Sequence, residues 1–423
     1  MITRLTGRGF KGLREFDIQP SKINVLIGAN GTGKTNFADL IDFFSLIARR
    51  GLVEAFGEYG GLEQVRTRTP RGAFTMRFRL ELGEDKDRGI KRVSYGFELS
   101  RAASIQVKNE FLDAVVYERR PIRRDDKGMV RPIPNLEEIT IGFERDGTTI
   151  KSWHDPQNTI DAQNIEALFL DESGEDELLL FSRYMRGARL ISNYIASWRV
   201  YNIEPGAVRR SIVNDDQELR RNGENIVPYV ARLLQKTDQS EQLLAALQEV
   251  VPYIDEIKPD RLLNLKTLRF TERDTRVDFQ LPEMSDGTIR LLGLFAVLLQ
   301  ATPPPVIVIE EPENALHLYA IQRFLQRVRD TATRRRNPSQ IFLTTHSPIV
   351  LDEALGLDSQ HDVEGGIACF VTQRKGTKAI IPAPRAAMIG IAKNLGRPSD
   401  FQREGGFGDE PQPIAPELMD SEV

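Results

Sequence analysis

The stretch GANGTGKT, residues 28–35, fits the pattern G-x-x-x-x-G-K-[ST], which demands a strand before it and a helix after it. Both flanks comply. KINVLIG reads as a short buried strand, and TNFADLIDFFSLIARR places Phe37, Leu40, Ile41 and Phe44 at i, i+3, i+4 and i+7, one apolar stripe on a helix. Gly28, Gly31 and Gly33 permit close backbone approach, so successive N–H groups and the helix N-terminus can surround phosphates. Candidate nucleotide contacts are Asn30, Gly31, Thr32, Gly33, Lys34, Thr35 and Asn36. Lys34 would reach the β- and γ-phosphates of ATP, and Thr35 would hold Mg²⁺.

A loop of this kind needs carboxylates beside it, and VIVIEEPENALHLY, residues 306–319, supplies them. The apolar run reads as a strand inside a parallel sheet. Ending such a strand in two adjacent carboxylates is costly unless a cation or a reacting water is near. Glu310 is expected to orient the magnesium shell and Glu311 to polarise the attacking water as general base. Glu313 reads as a cap for the next helix.

Around these two elements the chain divides. From residue 73, AFTMRFRLEL and VSYGFEL alternate with period two, as half-buried antiparallel strands do, and ITIGFERDGTTIKSW predicts a hairpin about Asp146 and Gly147. IRLLGLFAVLLQ (helix), VIVIEE (strand), a helix carrying Leu318, Ile321, Phe324, Leu325 and Val328, and QIFLTTH (strand) imply a parallel sheet with crossover helices. The expected fold is α/β, with a mostly parallel core sheet, an antiparallel β subdomain and a helical insertion. The expected division is an N-terminal lobe over 1–154, a mostly helical insertion over 155–260, a C-terminal lobe over 261–390 and a flexible acidic tail over 391–423.

Composition narrows the remaining classes. A formal net charge of −4 disfavours a wholly basic nucleic-acid binder, and one cysteine, Cys369, excludes an internal disulfide framework. Histidines at 154, 317, 346 and 361 form no metal-binding pattern. The apolar stretches fall short of the roughly 18 to 20 residues that cross a bilayer, and the start lacks a signal-peptide apolar core. A cytoplasmic protein without membrane attachment is expected.

Two further stretches are weak alone and specific in order. MSDGTIRLL puts Ser285, Asp286 and Gly287 at the start of an apolar helix, and LTTHSP puts His346 at a strand end. The sequence phosphate loop, Ser-x-Gly helix, acidic strand, strand-end His resembles ABC-type ATPase heads of the SMC- and RecF-like branch. More closely, its start, SDGT, EEPEN and THSP motifs resemble standalone bacterial predicted ATPases related to OLD-family nucleases. The resemblance covers roughly residues 1–100 and 260–385, with faint traces in SWRVYNI and GENIVPYVARLL. It implies a homodimer or higher oligomer with ATP sandwiched between copies. Ser285 and Gly287 then map to the partner's nucleotide, Asn314 and Ala315 to the loop between sites, and His346 to the γ-phosphate. Gln64 maps to the glutamine-loop ligand of the metal.

Three departures qualify it. Asp286 and Thr288 replace the glycine and glutamine of transporter signatures, Glu310 replaces the usual aspartate, and His317 is followed by Leu318 rather than proline. After His346 neither a TOPRIM Asp-x-Asp motif nor enough ordered length for one follows, so a nuclease activity is not expected from this chain. Two readings stay open, and a third, a regulatory scaffold that binds ATP without hydrolysing it, survives only if Glu311 is mispositioned. One is an ATP-driven dimer acting as a switch for a separately encoded effector, a nuclease or toxin, in bacterial defence. The other is a RecF-like ATP-gated DNA clamp, for which YERRPIRRDDKGMVR and TATRRRNP are candidate phosphate contacts.

Overall fold

In the computed structural model the described residues are 1–69, 72–100, 102, 104–119, 136–157, 164–167, 176–210, 218–262, 265–300, 302–360, 367–375 and 377–382. One sheet of 13 strands runs through the molecule. Its parallel half has the order Arg199–Tyr201, Val306–Glu310, Gln340–Thr345, Ile23–Ile27, Ile367–Lys375. The mostly antiparallel half continues with Thr377–Pro382, Leu13–Ile18, Ile2–Phe10, Met76–Leu82, Ile90–Leu99, Val107–Arg119, Leu136–Asp146 and Thr149–His154. The β subdomain is thus an extension of the core sheet.

The parallel strands are apolar throughout because both faces are covered. Val306, Val308, Phe342 and Leu26 face one core, with helix Lys34–Arg50 on it, where Phe37 meets Phe342 at a ring-centroid distance of 5.3 Å. Ile307, Ile309, Ile341, Leu343, Val25 and Ile27 face the other, shared with helices Asp286–Leu298 and Leu318–Ala332. The period-two alternation of side chains assigns each residue to its face. Helix Lys34–Arg50 also reaches the antiparallel half through Phe44 and Phe78, 5.7 Å apart.

The middle of the chain departs from the expected insertion. It does hold helices Arg189–Ala196, Ile226–Leu233 and Thr237–Gln248. It also supplies the edge strand Arg199–Tyr201, parallel to Val306–Glu310, and the fully buried Trp198 packs beside Phe44 at 6.1 Å. Ile226 and Val230 belong to the core around helix Asp286–Leu298. A three-residue strand is too short to show a period in sequence, so the run looked detachable. The boundary at 260 likewise cuts strand Ile254–Leu262. The tail 391–423 and most of YERRPIRRDDKGMVR lie outside the described residues.

Candidate nucleotide site

Register brings the chemistry to one edge. Glu310 pairs with Thr344, and Thr345 with Ile27, so the turns after three adjacent parallel strands emerge together at their C-terminal ends, where open α/β sheets take ligands. Those turns carry Gly28–Thr35, Glu311–His317 and His346.

In the phosphate loop Gly31 and Gly33 hold φ of +77° and +122°, backbone that side chains disfavour. Helix Lys34–Arg50 begins without a side-chain cap, which leaves its first N–H groups for a ligand. Lys34 is folded over the loop, its Nζ donating to the carbonyls of Gly28 at 2.7 Å and Ala29 at 3.0 Å. Burial pushes its pKa down, against the pull of Glu311 and Glu313. Asn30, Gly31 and Thr35 are exposed and Asn36 half-buried. Thr32 differs: its hydroxyl donates to Ala29 O at 2.8 Å and meets the Thr372 hydroxyl at 2.6 Å, so its side chain braces the loop against the sheet. Gly28 serves the same brace, since a Cβ there would lie 2.1 Å from Thr372 Oγ1 and 2.6 Å from Thr372 O.

Three carboxylates lie within four residues, and each has its own partners. Glu310 is buried; Arg221 Nε donates to its Oε1 at 3.1 Å, and Arg221 Nη2 contacts the same oxygen. Arg221 Nη1 donates to Asp39 Oδ1 at 2.7 Å, and Lys11 Nζ to Asp39 Oδ2 at 2.7 Å. Burial pushes the Glu310 carboxyl up, and Arg221 pulls it part of the way back. No spacing in RRNGEN announced Arg221; only the fold brings it to Glu310.

Glu311 sits at φ +44°, an uncommon conformation for a residue with a side chain and doubly restricted before a proline. The strain is held from both sides. The Glu311 N–H donates to Thr344 O at 2.8 Å, and the buried Arg290 donates through Nη2 to Glu311 O at 2.6 Å and Glu310 O at 3.2 Å. Such outliers concentrate at functional sites. The Glu311 carboxylate accepts from Asn314 Nδ2 at 3.0 Å and lies 3.5 Å from His346 Nδ1.

Glu313 does not cap the following helix; His317 does, accepting from Ala320 N–H at 3.3 Å. Pro312 turns the chain so that Glu313 points back at the strand end, where its Oε1 accepts from Thr345 Oγ1 at 2.5 Å and His346 N–H at 3.3 Å.

Ser285 caps helix Asp286–Leu298, accepting from Thr288 N–H at 3.2 Å, and stays exposed. Gly287 lies against the Asn314–Ala315 turn: a Cβ there would stand 2.7 Å from Ala315 O. Asp286 pairs with Arg209 at 2.5 Å. Gln64 is exposed on the short helix Leu62–Val65, and among the described residues no hydrogen bond joins its side chain to the loop or the carboxylates. In TATRRRNP, Arg334 is occupied by the carbonyls of Leu298 and Gln300 at 2.8 and 3.1 Å, the cation at a helix C-terminus.

No cluster of three or more protein ligands for a metal exists among the described residues. Magnesium in nucleotide sites needs none, since one or two carboxylates, a hydroxyl and the phosphates suffice. The exposed Thr35 hydroxyl beside the uncapped helix start fits that donor set. No described helix is long and apolar enough to cross a membrane.

A family model described as "AAA domain, putative AbiEii toxin, Type IV TA system" matches residues 23–352. No curated protein matches the chain. Among solved structures, the chain is similar to the SMC head domain from Thermotoga maritima at 16% identity, over 90% of this chain and 99% of that one, with a TM-score of 0.44. It is also similar to an Smc head bound to the C-winged helix domain of ScpA, at 12% identity over 92% and 99% with a TM-score of 0.49. An Smc head with an extended coiled coil, bound to the C-terminal domain of ScpA derived from Pyrococcus furiosus, gives 11%, 93% and 99%, and 0.49.

Proposed function

Since the family model spans most of its length, this chain belongs to the AAA-domain family described with a putative AbiEii toxin of a type IV toxin–antitoxin system, and we propose that it binds ATP with Mg²⁺ and hydrolyses it. The observation that carries the reading is the convergence of Lys34, Glu311 and His346 on turns that leave three adjacent parallel strands.

In this mechanism the loop N–H groups and Lys34 hold the phosphates, Lys34 exchanging its two carbonyl partners for phosphate oxygens. Thr35 and Glu310 would hold the metal, which would supply charge neutralisation at the phosphates. Gln64, on the short helix Leu62–Val65, would complete that shell. Glu311 takes a proton from the attacking water, which forms its bond to the γ-phosphorus as the bond to ADP breaks. Its strained backbone fixes where that carboxylate stands. His346, beside Glu311, donates to the γ-phosphate.

The same reading makes the active form a homodimer. Ser285 is exposed at a helix start, and Gly287 seats that helix on the Asn314–Ala315 turn, which supports a surface that meets a second copy's nucleotide through Ser285 and Gly287. Closure of that dimer would switch a separately encoded effector, a nuclease or toxin, in defence. Glu311→Gln tests the chemistry: ATP should bind as before while turnover falls by about 10² to 10⁴. Turnover near wild type would remove the base assignment.

A further inference from the structure

The third carboxylate has no part in the mechanism above, yet its surroundings are built. The Glu313 side chain is 8% exposed, and a carboxylate is rarely buried to that degree unless paired. Its Oε1 receives the Thr345 hydroxyl at 2.5 Å and the His346 N–H at 3.3 Å, and lies 3.7 Å from His346 Nδ1. The same Nδ1 also lies 3.5 Å from Glu311 Oε1, so two carboxylates face one ring nitrogen. Among the described residues, Glu313 Oε2 is buried with no hydrogen-bond partner. The charge of Glu313 is felt by Lys34 and by Arg290, the residue that holds the Glu311 carbonyl.

Covalent geometry explains how one carboxylate reaches all of these. Glu311 in the left-handed region reverses the chain, Pro312 fixes the next φ, and carboxylates two residues apart come to bear on one imidazole. A carboxylate facing one ring nitrogen sets the tautomer and aims the other nitrogen. With Nδ1 turned to Glu311 and Glu313, Nε2 is the atom left for a ligand.

We propose that Glu313 is the positioning residue of the ATPase site: it ties the turn after Val306–Glu310 to the end of Gln340–Thr345 and holds His346 with Nε2 toward the γ-phosphate. The proposal rests on His346 acting in hydrolysis. Glu313 touches neither ATP nor the water; it acts through the histidine, and it keeps Glu311 and His346 at a fixed separation as the dimer closes.

A double-mutant cycle in the full chain separates the two ideas. Glu313→Gln keeps an acceptor for Thr345 and His346 N–H and deletes the charge. It should lower kcat about tenfold with KM for ATP within about twofold, and have no further effect in a His346→Ala background, because residues that act as a unit are non-additive. Multiplicative losses in the double variant, or an unchanged kcat in Glu313→Gln, would overturn the positioning role. Wild-type turnover in His346→Ala alone would instead refute the reading beneath it. Should Glu313→Gln fail to fold, Thr345→Val, which removes the hydroxyl that fixes Oε1, carries the same cycle with the same expected non-additivity.

Discussion

Arg221→Met removes a cation that bridges Glu310 and Asp39. Breaking a fully buried ion pair by deleting one partner costs about 3 to 5 kcal/mol. Two features reduce that here: the Arg221 side chain is 33% exposed, and Lys11 keeps its hold on Asp39. A loss of about 2 to 3 kcal/mol remains, roughly 2 to 3 °C in melting temperature for a chain of this size. The loss has a pH signature. Burial already raises the Glu310 pKa in the folded protein, so folding binds a proton there and stability falls as pH rises from the unfolded value of about 4.3 through the folded one. Without Arg221 the folded value climbs further. The deficit is therefore full above that raised value and shrinks as pH drops through it, when Glu310 takes up its proton. Thermal melts of both proteins without nucleotide, at pH 8 and pH 5.5, read this directly. An unchanged melting temperature at pH 8, or a larger loss at pH 5.5 than at pH 8, would refute the assignment of Arg221 as the charge partner of Glu310.

Ser285→Arg should leave ATP binding by the single chain intact and block ATP-dependent association and turnover. Mixed with Lys34→Ala chains it should recover at most about a quarter of wild-type activity, since half of the statistical dimers have one working site; full activity of Ser285→Arg alone would remove the composite site. Gly28→Ala forces a methyl into Thr372 side chain and backbone, so it should destabilise by more than the usual 1 to 3 kcal/mol of overpacking. The melt without nucleotide checks it, and a normal melting temperature with weakened ATP binding would return Gly28 to a purely ligand-facing role.

What the sequence disclosed follows from the range over which each signal acts. The glycines of the phosphate loop, the stripe of Phe37, Leu40, Ile41 and Phe44, and the apolar run before Glu310 are local patterns, and their elements form as read. The SDGT helix cap is local as well, and Ser285 makes it. Partners that meet only through the fold left no trace: Arg221 reaches Glu310 across 89 residues, and Thr372 braces Thr32 across 340. Glu313 was misread because proximity in sequence to helix Leu318–Ala332 suggested a cap, whereas the turn imposed by Glu311 and Pro312 directs it to Thr345. Arg199–Tyr201 was missed because three residues hold no period. The family match over residues 23–352 encloses Arg221, Glu310 and Glu313 but ends before Thr372.

The brace between Thr32 and Thr372 has a bearing on how the chain is made. The loop leaves the ribosome early, but the residue that shapes its inner side follows 340 positions later, roughly 17 to 70 s at ordinary elongation rates. Strand Ile23–Ile27 likewise waits for both of its neighbours, Gln340–Thr345 and Ile367–Lys375, which come late in the chain. Chains that stall or are cleaved before Thr372 would carry the full GANGTGKT motif yet present it unsupported. If the loop captures ATP as proposed, a fragment ending before Thr372 should capture it less well than the finished chain.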